Sequence, residues 1–301
     1  MNVPDISRVG IVGSGTMGSR IAYRCMVSGL EIYLHDSQPD ALLGAVERVR
    51  TWVQDATSDG RLAGQAVATV LSRLHPCETL RECVGDVDLV IEAVPEKVDL
   101  KRRVFSEIDR RAAPRALIAT NSSSIPCSRI AGATQRPAQV FNINFSDPRH
   151  DNLVEVMKGA QTDDATIRAG MAFVKKLHMV PIVTWKEITG FTFNRIWRAI
   201  KREALHLVGD GYSDPEDIDR AWMLEYGTSY GPFGLMDKIG LDVIRDIELL
   251  YYRESGEERD RPPEFLDRMV AEGRLGVKTG RGFYIYPNPR YTQAGWLTKD
   301  I

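Results

Sequence analysis

The chain has 301 residues, 43% hydrophobic and 27% charged, which excludes a disordered tail, a collagen-like chain and a disulfide scaffold. That length leaves room for one large or two modest domains. Its 39 basic and 41 acidic residues sum to −2, so no global basic field exists to hold a nucleic acid. Cys25, Cys77, Cys83 and Cys127 lack C-x-x-C spacing and clustered histidines, and read as free thiols in a reducing compartment, with no metal site expected. The opening MNVPDISRVGIVG has no basic n-region before a long apolar stretch, and no run approaches the roughly 18 apolar residues of a membrane span. A cytoplasmic protein without a membrane partner is the expectation.

Arg8 to Val12 is a short valine- and isoleucine-rich run, fit for a buried parallel strand. It enters Gly13-Ser14-Gly15-Thr16-Met17-Gly18, then a helix-like stretch, then a second strand, Glu31 to Asp36, ending in an acid. A glycine triplet alone is weak; strand, glycine turn, helix, strand and terminal acid in this order is a dinucleotide-binding signature. Gly13 can take the tight turn, Gly15 leaves room for a pyrophosphate, and Gly18 lets helix and strand pack closely. The helix N-terminus offers free N–H groups to phosphate. Asp36 would accept from a ribose 2′-hydroxyl and repel a 2′-phosphate, and Ser37-Gln38-Pro39 holds no arginine to attract one, so NAD is favoured over NADP.

Residues 40–75 read as a helical excursion, with Leu42, Leu43, Val46, Val49 and Val53 at helical spacings. Strands follow at 86–94, 116–120, 140–145, 153–157 and 179–183, with a helix over Val98–Ala112 and another ending near His178. This predicts an α/β fold: a Rossmann-type, doubly wound, mainly parallel sheet over residues 1–185. From Trp185 the strands cease, and 190–210, 214–226, 232–255 and 262–273 read as helices, an all-helical C-terminal domain over 186–301.

The segments GSGTMG, EAVPEKVDLK, ATNSSSI, LVEV and GFTFNR, with the C-terminal GPFGLMDKIGLD and GRLGVKTGRGFYIY, resemble the short, two-domain L-3-hydroxyacyl-CoA dehydrogenase family. The resemblance spans nearly the whole chain. It implies an NAD-dependent oxidoreductase acting on a small-molecule substrate, a helical domain that dimerises, and chemistry between the two domains. Residue by residue, it implies cofactor contacts for Glu96, Lys101 and Asn121 beside those of the glycine turn. It implies that Ser123 touches the substrate oxygen beside the nicotinamide, that Asn194 points at the site, and that Glu155 is the acid that pairs with the catalytic histidine. Arg102 and Arg103 read as a solvated helix face.

The departure is at that histidine. The family reads like L-H-F-F-N-P where this chain reads Ile143-Asn144-Phe145-Ser146-Asp147-Pro148, so the resemblance puts Asn144 at the base position, with Asp147 in place of an asparagine. A carboxamide can polarise an oxygen but cannot move a proton as imidazole does. Three alternatives are open: Glu155 acts as base, His150 reaches the site from the following loop, or the protein binds NAD(H) without turnover. His35, His75, His178 and His206 are weaker candidates, His75 being read as a loop residue. Along the excursion, Thr51 to Gly60, acids stand where the family places CoA-docking cations, with Arg50 and Arg61 nearby. A smaller 3-hydroxy acid, or another carbonyl or alcohol compound, therefore competes with a CoA thioester, and Arg149 and Arg195 are candidates for a carboxylate clamp.

Overall fold

The computed structural model describes residues 5–62 and 66–299. Contacts divide the chain into two units, Met1–Thr192 and Phe193–Ile301. The first unit runs β1 (Arg8–Val12), α1 (Thr16–Val27), β2 (Glu31–His35), α2 (Pro39–Ser58), α3 (Val67–Leu71), β3 (Leu74–Pro76), α4 (Leu80–Val84) and β4 (Leu89–Glu92). It continues through α5 (Val98–Arg111), β5 (Leu117–Thr120), α6 (Ser128–Ala131), β6 (Val140–Phe145), β7 (Leu153–Met157), α7 (Asp164–Lys176) and β8 (Val180–Thr184).

One sheet of order β3-β2-β1-β4-β5-β6-β7-β8 carries the unit, as a Rossmann-type sheet should. Pairing is parallel from β3 across to β6; β6 and β7 are antiparallel, and β7 and β8 are again parallel to each other. The reversal follows from chain length: the short link 146–152 cannot make the crossover a parallel neighbour needs. Alternate residues of each strand enter different cores. Ile11, Ile91, Ile143 and Val156 pack with α1, α2 and α7, whereas Val12, Val90, Ile118 and Val140 pack with α4 and α5.

The second unit is all helical: α8 (Phe193–Gly209), α9 (Pro215–Tyr226), α10 (Pro232–Ile239), α11 (Leu241–Ser255) and α12 (Glu264–Ala271). Its core gathers Leu205, Met223, Phe233, Met236, Leu241 and Leu266. Among the described residues, no helix is long and apolar enough to cross a membrane.

Several expectations change. The excursion over 40–75 divides into α2, α3 and the strand β3, with 63–65 outside the described residues. His75 therefore lies in a strand, where its ring bonds Glu31 at 2.7 Å. Leu43, expected on the apolar face, is 65% exposed, because Leu42, Ala45 and Val49 fill that face without it. The continuous helix over 232–255 is broken at Gly240, whose φ of 107° no helix can accommodate. The segment 186–192, grouped with the helical domain by sequence, falls in the first unit.

Candidate active site

At the carboxyl end of β1, Gly13 takes φ 102°, and a Cβ there would meet the Ala93 carbonyl oxygen at 2.7 Å. A Cβ on Gly18 would collide with the carbonyl oxygen of Gly13, so α1 presses against the turn as closely as backbone allows. Gly15, by contrast, opens onto free space with nothing within 4 Å of an added Cβ. It is the N-cap of α1 and offers no side chain to the first turn, which leaves those N–H groups for a ligand. Thr16 and Met17 form that first turn. A cavity of about 760 Å³ opens here, lined by Gly13, Gly15, Met17, Asp36, Pro95 and Leu100, among others.

Asp36 holds the turn as well as facing the cavity. Its Oδ2 accepts from the Ser14 N–H at 2.7 Å and the Ser14 hydroxyl at 3.0 Å, and Oδ1 accepts from the Gln38 N–H at 3.0 Å. Partial burial pushes the carboxyl up, but these donors outweigh it and hold Asp36 below its ordinary value. Ser14 is thus buried with its hydroxyl turned to Asp36. The open face over Gly15, the uncapped N–H groups and an ionised acid at the next strand end fit a dinucleotide. Arg103, read as a solvated helix face, also lines the cavity, whereas Arg102 donates to the Arg129 carbonyl at 2.8 Å.

Beyond β4, a buried charge network was only partly legible. Lys101 is 1% exposed and donates to Glu92 Oε1 at 2.8 Å, Glu92 Oε2 at 3.1 Å and the Val94 carbonyl at 3.2 Å. It also pairs with Glu96 Oε2 at 3.2 Å. Glu92 takes two further bonds, from the Thr120 hydroxyl at 2.7 Å and the Val94 N–H at 2.6 Å. Burial leaves Glu92 above its ordinary value, against the pull of Lys101. Glu96 moves the other way: burial is outweighed by hydroxyl bonds from Ser122 and Ser124 and by the Lys101 charge. Lys101 thus stands behind Glu96 and fixes it. Glu92 was missed, although an acid inside the apolar run Leu89–Val94 was the available signal.

Glu96 in turn shapes the serine loop. Ser122 donates to Glu96 Oε1 and accepts from the Ile125 N–H at 2.7 Å, while Ser124 donates to the same Oε1 at 2.7 Å. Ser123, between them, is exposed. Asn142 on β6, fully buried and missed by sequence, clasps the loop from beneath. Its amide donates to the Ser122 and Ile125 carbonyls at 3.2 and 3.0 Å and its oxygen accepts from the Cys127 N–H at 2.7 Å. Asn121 accepts from the Phe145 N–H at 3.1 Å, tying the end of β5 to the end of β6.

Asn144 is directly opposite Glu155 in the antiparallel ladder. Directly opposed residues share a face with Cβ atoms about 4.5–5.5 Å apart. That face is the one Asn142 occupies, since the intervening Ile143 and Val156 pack into the opposite core. Glu155 is 2% exposed and accepts from the Thr192 N–H at 3.0 Å. His150 sits exposed in the 146–152 loop, its backbone N–H bonded to the Asp147 carbonyl. Asn194 lies in the first turn of α8, in the second unit. Two other histidines are engaged elsewhere: His35 Nδ1 with the Cys77 carbonyl and His206 Nε2 with that of Arg259, both at 3.0 Å.

Residues 8–188 match the family described as the 3-hydroxyacyl-CoA dehydrogenase NAD-binding domain, and 190–286 match the 3-hydroxyacyl-CoA dehydrogenase C-terminal domain. The chain is 35% identical over 282 residues to the 3-hydroxybutyryl-CoA dehydrogenase of Bradyrhizobium diazoefficiens, covering 93% of this chain and 96% of that one. It is 29% identical over 294 residues to the 5-formyl-3-hydroxy-2-methylpyridine 4-carboxylate 5-dehydrogenase of Mesorhizobium japonicum, covering 96% and 93%. Among solved structures, it is similar to (S)-3-hydroxybutyryl-CoA dehydrogenase from Ralstonia eutropha, with a TM-score of 0.85, 35% identity and coverage of 94% and 100%. The chain belongs to the 3-hydroxyacyl-CoA dehydrogenase family and is an NAD-dependent oxidoreductase acting on CH–OH groups.

Proposed function

We propose that this chain interconverts the hydroxyl and keto forms of a 3-hydroxyacyl-CoA-like or smaller 3-hydroxy acid, at a site where Asn144 replaces the family's catalytic histidine. The observation that carries this reading is the direct opposition of Asn144 and Glu155 at the carboxyl end of the sheet, near the loop that displays Ser123. NAD, when bound, supplies the hydride acceptor or donor. Gly13, Gly15, Thr16, Met17 and Gly18 form the seat for its pyrophosphate, Asp36 takes the adenosine ribose, and Glu96, fixed by Lys101, faces the nicotinamide side with Asn121. Ser123 and Asn144 hold and polarise the substrate oxygen. Glu155 carries the proton, because a carboxamide is neither a usable acid nor a usable base near neutral pH. Asn194 enters this set by resemblance to the family.

A free acid competes with a CoA thioester as substrate, since acids stand along 51–60 where the family places docking cations. Arg50 and Arg61 beside them form exposed pairs with Glu47 at 2.8 Å and Asp59 at 2.9 Å. Support for a homodimer through the helical unit comes from its exposed apolar side chains, Ile196, Leu224, Tyr226 and Leu250 among them. The four buried, unbridged thiols suit a reducing cytoplasm.

The test is NADH oxidation across 3-keto acids offered free and as CoA thioesters. Turnover of either class supports the reading. NADH binding by calorimetry with no turnover in either direction would instead identify a silent cofactor-binding member of the family.

A further inference from the structure

The loop 146–152 carries a second feature that the proton chemistry does not use. Asp147 forms an ion pair with Arg20 of α1 at 3.2 Å and accepts the backbone N–H of Arg149 at 3.2 Å. The Arg149 guanidinium carbon then lies 4.3 Å from the centre of the Trp52 ring on α2. Trp52 meets Tyr23 of α1 edge-on, 6.1 Å between ring centres, which returns the chain of contacts to the helix that bears Arg20. These contacts form a closed circuit. It holds two guanidinium charges against one carboxylate.

Arg149 has no carboxylate partner among the described residues, and its Nε is buried without an acceptor, as is the Nε of Arg20. A buried N–H on a cation that finds no acceptor is costly, and it leaves this guanidinium with hydrogen-bonding capacity that the protein does not fill. Stacking on an indole fixes the plane of the guanidinium and lowers the entropy lost when its fork engages an oxyanion. The loop begins immediately after the strand of Asn144 and ends at the strand of Glu155. It also lies beyond the carboxyl end of β6, the end at which open α/β sheets bind ligands.

We propose that Arg149, seated on Trp52, is the substrate-recognition cation of this enzyme and takes a carboxylate or phosphate group of the substrate. This rests on the dehydrogenase reading and adds the substrate's anionic group to it. Two sources share the chemistry: the carboxylate of a free 3-keto acid and the phosphates of a CoA thioester. Arg149 touches no reacting atom in this assignment; it sets affinity and leaves the hydride and proton steps to others.

Calorimetry on the full chain saturated with NAD+, which cannot reduce a ketone, tests it, using acetoacetate, neutral methyl acetoacetate and acetoacetyl-CoA as titrants. The expected result is at least tenfold tighter binding of acetoacetate or the thioester than of the ester. Arg149→Met should abolish that preference, leave ester and NAD+ affinities unchanged, and be partly rescued by Arg149→Lys. Sensitivity of acetoacetate alone assigns the carboxylate, and of the thioester alone the phosphate. The proposal is overturned if the parent shows no preference for an anionic ligand. It is equally overturned if Arg149→Met weakens ester and anion alike, or weakens neither. Failure of the dehydrogenase reading is distinguishable, since it would leave this binding preference intact without turnover.

Discussion

Asn144 on β6 and Glu155 on β7 are directly opposed in the antiparallel register, which puts a carboxamide and a buried carboxylate side by side on one face of the sheet. Only the second of these groups is a Brønsted base; the carboxamide can only donate or accept hydrogen bonds. The division of labour proposed for the site follows: Asn144 polarises, Glu155 carries the proton.

Replacing Glu155 by Gln is therefore expected to lower kcat by about 10²–10⁴, the usual contribution of a general base, with the KM for NADH little changed. His150→Ala should leave kcat within about twofold, because His150 is exposed in its loop. Steady-state kinetics on the two variants decides between them; the reverse pattern would move the proton chemistry to His150.

Lys101→Met should be severe for a different reason. It strands the fully buried Glu92 carboxylate, and breaking a buried pair from one side costs about 3–5 kcal/mol. Denaturant unfolding should register that loss, and NADH affinity should fall because Glu96 loses its anchor. The double variant Glu92→Leu, Lys101→Met should regain much of the stability but not the affinity.

Asp36 has two tasks that a single substitution can separate. It bonds Ser14 within the turn and it faces the cavity. Asp36→Ala removes a charge-assisted acceptor worth about 1.5–3 kcal/mol, so NADH should bind roughly ten- to a hundredfold more weakly. NADPH, relieved of repulsion, should lose much less. Equal losses for both cofactors, measured by fluorescence titration, would mean that Asp36 acts only by holding the turn.

In the helical unit, Asp219 is fully buried and burial pushes its carboxyl up from 3.8 to about 6, against bonds from the Phe233 and Gly234 N–H groups and the Tyr284 hydroxyl. A carboxyl raised on folding means that the native state binds the extra proton between those values. Its stabilising contribution is complete below about pH 4 and declines as pH rises through 6, by up to about 3 kcal/mol. Subtracting the unfolding free energies of Asp219→Asn from those of the parent between pH 4 and 7 should reveal that downward slope. A flat difference would contradict it.

What sequence made legible was local. The glycine turn, Asp36 and the strand cores are written in neighbouring residues, and Glu155 came from the resemblance of LVEV to the family, with an acid inside the apolar Leu153–Met157 as a local sign beside it. Glu92 carried the same sign inside Leu89–Glu92, but its partner Lys101 lies on the following helix and only the fold brings them to 2.8 Å. β3 escaped because three residues ending in Pro76 have no periodicity to read. Gly240 escaped because the apolar spacing of α10 and α11 runs on across the break. Asn142 and the contact of Arg149 with Trp52 are purely tertiary.

The central claim is that Asn144 occupies the position of the missing base, and the most direct measurement is the pH dependence of kcat for Asn144→His with acetoacetyl-CoA and acetoacetate. The account predicts at least a tenfold gain over the parent, with a new titration near pH ~6.5 from the introduced imidazole. An unchanged rate and profile, or a loss of the parent's activity, would contradict it.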